Sequence, residues 1–190
     1  PNGLPSISEP DPAIVIGELD NGLRYLIRDN DNPGARVDMR LVVDAGSALE
    51  DETQSGGAHF LEHMLFNGTE QFPENELIDV LRGFGAEFGA DINAFTSYDE
   101  TVYQLTVATD DDEVVATGLD VLAQWLSAAT LDPTAVAQER GVVLDEWRAA
   151  AKRGVKVRLL MDQLNSLADP QLQAGLASFH INFELRLYNP

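Results

Sequence analysis

The sequence predicts an α+β fold: a mostly antiparallel sheet with helices packed on one face, and a metal site between two helices and an edge strand. Two observations carry the architecture. Strand-like runs come in pairs split by turn residues: 13–19 and 23–28 flank Asp20-Asn21-Gly22, and 92–97 and 101–107 flank Tyr98-Asp99-Glu100. After residue 110, two long stretches repeat apolar residues at helical spacing.

Residues 1–11 are rich in Pro, Ser and Gly and read as an extended lead-in to a single domain over 12–190. The first strand pair forms a hairpin, and 29–34 is a second turn. The run 37–46 alternates in part and is wholly apolar in part, which predicts a central strand. A loop follows, from which Thr53 or Ser55 is expected to cap the next helix. That helix stops at Asn67-Gly68. Pro73 opens a short helix over 74–81 with acidic residues in its first turn. Gly83, Gly85 and Gly89 follow a helix and lead into a strand, the wrong order for a phosphate-binding loop.

Asp110-Asp111-Asp112-Glu113 opens the third helix, with an apolar stripe of Val114, Val115, Leu119, Leu122, Trp125 and Leu126. The acidic cluster lacks the glycine and the downstream glutamate of a calcium loop. Asp132-Pro133 starts a fourth helix, striped by Ala135, Val136, Val142, Val143 and Trp147. Beyond about residue 153 the pattern weakens, and 155–160 and 179–185 are the strand candidates.

Composition narrows the chemistry. The 190 residues are 44% hydrophobic, enough for a sizeable core. No apolar run approaches the roughly 18 residues that span a membrane. The first five residues have neither the basic nor the apolar region of a secretory leader, and the chain opens without Met, as a processed or excised piece does. There are no cysteines, so any metal must be held by His, Asp or Glu. The net charge of −20, from 32 acidic and 12 basic residues, argues against a nucleic-acid partner. It fits an acidic solvated surface.

Only three histidines occur, and two lie four apart in His59-Phe60-Leu61-Glu62-His63. On a helix His59, Glu62 and His63 share a face, so two imidazoles reach one ion with a carboxylate beside it. That set suits zinc and an activated water, and the order H-x-x-E-H belongs to catalytic zinc motifs. A catalytic zinc takes three protein ligands. His180 lies in the weakly patterned tail, which leaves a carboxylate as the third. Glu139 and Glu146 share a face of the fourth helix about 10 Å apart along its axis. Spacing alone does not choose between them.

The wider context is more specific. Gly57 to Thr69, Phe72-Pro73, Asn75-Glu76-Leu77-Ile78, Phe88 to Tyr103 and Glu139 to Arg148 resemble the pitrilysin/insulinase family of inverted-motif zinc peptidases, over about residues 12–148. The resemblance implies a zinc-dependent metalloendopeptidase acting on peptides or unfolded polypeptides. It implies His59, His63 and Glu146 as zinc ligands, Glu62 as general base, and Glu139 as a second catalytic carboxylate that orients the ligands. It implies that substrate lies along Asn93-Ala94-Phe95, with Phe66 lining a neighbouring side-chain pocket. Family members carry a second, similarly folded half that closes the cleft, and this chain is too short to contain one. The resemblance also favours a periplasmic or otherwise exported location. A peptidase-like scaffold that binds peptides without cutting is the alternative, although such relatives tend to lose motif residues that this chain keeps.

Overall fold

The computed structural model describes residues 11–30, 34–51, 53–73, 76–153, 157–162 and 183–188. The chain divides into two compact units, Pro1–Arg36 and Val37–Pro190.

In the first unit, strands β1 (Ile14–Glu18) and β2 (Arg24–Arg28) pair antiparallel, from Ile14 opposite Arg28 to Glu18 opposite Arg24. The turn forms because Gly22 adopts φ 87° and the Asn21 side chain accepts from the Leu23 amide at 3.1 Å.

The second unit holds the site. Strands β3 (Arg36–Val43), β4 (Ile92–Thr96) and β5 (Thr101–Ala108) form a sheet in the order β3-β5-β4. Strands β4 and β5 are antiparallel, with Ala94 opposite Tyr103. Among the described residues the 37–46 run is therefore not central: β3 is at one edge, and β5 occupies the middle. Apolar Leu41-Val42-Val43 suggested burial on both faces, yet Val42 is half exposed and only Met39 and Leu41 are buried. Among the described residues, β4 forms the opposite edge.

Among the described residues, four helices accompany the sheet: α1 (Gly57–Asn67), α2 (Glu76–Gly83), α3 (Asp112–Ser127) and α4 (Pro133–Lys152). Residues two apart on each strand turn Met39, Leu41, Ile92, Tyr103, Leu105 and Val107 to one core. Leu65 of α1, Leu77 and Leu81 of α2, and Val114, Val121 and Trp125 of α3 complete it. The α3 stripe differs from the expected one, because Val114, Gly118, Val121 and Trp125 are buried while Leu119 and Leu126 face solvent. The inward line runs through a glycine, where an added Cβ would stand 3.1 Å from the Met39 methyl. On α4, Val143 is buried and Val142 is exposed. Asp132 starts α4 as expected, its side chain accepting from the Thr134 and Ala135 amides.

Neither Thr53 nor Ser55 caps α1. Its N-cap is Gly56 in the left-handed region, and the capping oxygens come from Glu50, which accepts from the Gly56 and Ala58 amides at 2.7 and 2.8 Å. Thr53 instead bonds back to Asp51. Helix α2 is described over Glu76–Gly83; residues 74 and 75 of the expected helix lie outside the described residues.

The β4–β5 turn is stitched to the chain that follows β3. Ser47 and Ala48 donate amides to the Ser97 and Tyr98 carbonyls, and the Thr101 hydroxyl donates to the Ala45 carbonyl at 2.8 Å. The approach is close enough that a Cβ on Gly46 would stand 2.6 Å from the Ser97 carbonyl oxygen. Near the C-terminus, β6 (Val157–Asp162) and β7 (Phe183–Tyr188) pair in parallel. Residues 155, 156 and 179–182 of the expected strands, His180 among them, lie outside the described residues.

Candidate metal centre

Helix α1 places His59, Glu62, His63, Phe66 and Asn67 on one face, at steps of three and four residues. Buried Met64 and Leu65 anchor the other side, so the polar face cannot rotate away. Helix α4 brings Glu139 and Glu146 opposite, and β4 closes the third side of a cleft of about 730 Å³.

The two imidazoles stand edge to face, with His59 Nε2 3.2 Å from His63 Nε2. Glu146 Oε2 lies 3.6 Å from each of those nitrogens. A tetrahedral ion with ligand atoms about 2.0–2.1 Å away requires those atoms to stand about 3.3–3.4 Å apart. The triangle of 3.2, 3.6 and 3.6 Å thus fits zinc closely, with two nitrogens and one carboxylate oxygen as donors.

Glu139 does not join the triangle. Its Oε1 is 2.8 Å from His63 Nδ1, and its Oε2 accepts from Asn67 Nδ2 at 3.0 Å. With the Nδ1 proton donated to a carboxylate, the His63 Nε2 lone pair faces the triangle, which is the tautomer a metal needs.

Glu62 is only 8% exposed and lines the cleft with the two histidines. Its Oε2 accepts from the Thr96 hydroxyl at 2.6 Å. Tyr103 lies beneath; burial raises its phenol well above the usual tyrosine range, and the Glu62 carboxylate raises it further.

Every candidate residue from the sequence lines this one cleft: His59, Glu62, His63, Phe66, Asn93, Ala94, Phe95, Glu139 and Glu146. Asn93 to Phe95 lie on the edge strand β4, where the Asn93 side chain accepts from the Ala94 amide at 2.9 Å. Phe66 faces the cleft and also packs on Phe88 and Trp125, with ring centroids 5.6 and 5.1 Å away. Asp79 and Arg82 of α2 line the far wall as an ion pair.

Asn67 and Thr96 in the cleft escaped the sequence reading, as did Glu50 at the N-terminus of α1. Thr96 had a signal, since it lies two residues beyond Ala94 and so on the same strand face. Asn67 had one as well, four residues beyond His63 on the metal face.

Residues 25–179 match the family model described as insulinase, peptidase family M16. The probable zinc proteases PqqL of Escherichia coli and Haemophilus influenzae are 42% and 45% identical over 139 and 138 residues. Each alignment covers 73% of this chain but 15% of the relative. The crystal structure of the first half of the periplasmic protease PqqL from Escherichia coli is similar with a TM-score of 0.72 at 42% identity, covering 73% of this chain and 30% of that one. The chain therefore spans a small part of the length of the curated relatives it matches.

Proposed function

The chain belongs to the insulinase family, peptidase family M16, and from that premise we propose that it is the catalytic part of a zinc-dependent metalloendopeptidase. The observation that carries the reading is the donor triangle of His59, His63 and Glu146, sized for one tetrahedral ion. The naming of two relatives as zinc proteases supports zinc as that ion.

His59, His63 and Glu146 would hold the ion, which when bound supplies a Lewis acid beside the scissile carbonyl. Glu62 does the proton work. Thr96 occupies its Oε2, so Oε1 is the atom free to take a proton from the attacking water and return it to the leaving amine. Glu139 fixes the His63 ring and its tautomer. A peptide adds itself as a strand to β4 along Asn93, Ala94 and Phe95, whose free edge offers backbone groups to any sequence. To do so it displaces the Asn93 side chain from the Ala94 amide. Phe66, with Phe88 beside it, forms an apolar wall for one substrate side chain.

The cleft is open in this chain, and a second homologous half or subunit closes it. A similar solved structure is the first half of a periplasmic protease, which supports both this reading and export.

The deciding experiment uses the full-length protein containing this chain, assayed for bound zinc and for cleavage of a quenched fluorescent peptide. Glu62→Gln is expected to keep zinc and to lose about 10²- to 10⁴-fold in kcat. Cleavage at the wild-type rate by that variant would overturn the mechanism. Zinc binding without cleavage by the wild type would make the protein a peptide-binding scaffold.

A further inference from the structure

Asn67 closes α1, and the sequence explains it as a helix stop beside Gly68. Its side chain does something else. The carboxamide leaves its own helix and donates to Glu139 Oε2 on α4, 72 residues away in the chain. Glu139 is thereby held at both oxygens by two residues of α1, His63 on one and Asn67 on the other, with its side chain only 15% exposed. A carboxylate held at one oxygen can still turn about its last torsion, which is broad. A carboxylate held at both cannot turn without breaking a bond in a site that water replaces poorly.

We infer that Asn67 is a positioning residue for the metal centre: it locks the Glu139 carboxylate in the plane that aims the His63 Nε2 lone pair at the ion. The inference rests on the zinc peptidase reading and extends it by one link. The order of action is Asn67 to Glu139, Glu139 to His63, and His63 to the metal. Asn67 touches neither ion nor substrate in this scheme, so its removal weakens metal binding only as far as Glu139 depends on it.

The test is zinc affinity of the full-length protein, stripped of metal and titrated against a chromophoric chelator at one pH. Asn67→Ala and the near-isosteric Asn67→Leu are compared with wild type, each with Glu139 intact and with Glu139→Ala. With Glu139 present, both are expected to lower zinc affinity about 3- to 10-fold, the weight of one partly buried hydrogen bond. With Glu139 replaced, neither is expected to lower it further. Wild-type affinity in Asn67→Leu overturns the inference, as does an equal loss in both backgrounds, which marks a general packing effect. Less than one zinc per wild-type chain overturns the metal reading and this inference together, so the two failures are distinguishable.

Discussion

Helix α4 carries two glutamates, two turns apart, that occupy opposite environments. Glu139 is sheltered and bonded at both oxygens, whereas Glu146 is 47% exposed and stands 3.6 Å from two imidazole nitrogens. Glu139 is turned to the Nδ1 side of His63 and to Asn67, away from the Nε2 pair, whereas Glu146 faces both Nε2 atoms and needs only a small adjustment to share an ion with them. Partnership, rather than residue type, separates a group that orients from a group that ligates.

The comparison can be broken in order of effect. His63→Ala removes a member of both environments at once and is expected to abolish stoichiometric zinc, read by metal analysis after dialysis. Near-complete occupancy in that variant would break the whole scheme. Next, Glu146→Ala should lower zinc affinity more than Glu139→Ala, whose loss is expected at about 10- to 100-fold; the reverse order would exchange the two roles. Thr96→Val leaves both glutamates alone and unties Glu62. It should lower kcat about tenfold with zinc affinity and KM unchanged, and Thr96→Ser should restore the rate. An unchanged kcat would show that Glu62 needs no such tether.

The smallest effect lies at the start of the same helix. Asp132 accepts from the Ala135 and Thr134 amides, which holds its carboxyl below the usual aspartate range. Its folded pKa is depressed, so its support of α4 is present above the unfolded value and is lost as pH falls through the folded one. Amide exchange in the first turn of α4 should quicken in acid for the wild type, and show less of this change in Asp132→Ala. Equal acid sensitivity in the two proteins would remove Asp132 as the cause.

What was legible in the sequence was what is local. His59, Glu62 and His63 sit within five residues, so helical geometry alone puts them on one face. The hairpin and the β4–β5 pair were legible because turn residues stand between alternating runs. Spacing did not choose between Glu139 and Glu146, since residues two turns apart share a face; only the family resemblance favoured Glu146. Thr96 meets Glu62 across 34 residues, and Asn67 meets Glu139 across 72, so neither bond leaves a periodic trace. Strand β3 was misplaced because an apolar run does not report the number of hydrogen-bonded neighbours, nor, at Val42, burial. Glu50 was missed as the α1 cap because capping is usually sought immediately before a helix, whereas this carboxylate reaches back from a loop six residues before Gly56.

Gly46 does not line the cleft, yet it bears on one wall of it. Any side chain there would press on the Ser97 carbonyl, and Ser97 directly follows the threonine that tethers Glu62. The hydrogen atom of this glycine acts as a shim. Its thinness sets how closely the β4–β5 turn approaches the chain that follows β3. The placement of Thr96, and through it of the Glu62 carboxylate, thus depends on a residue that contributes no side chain to the cleft.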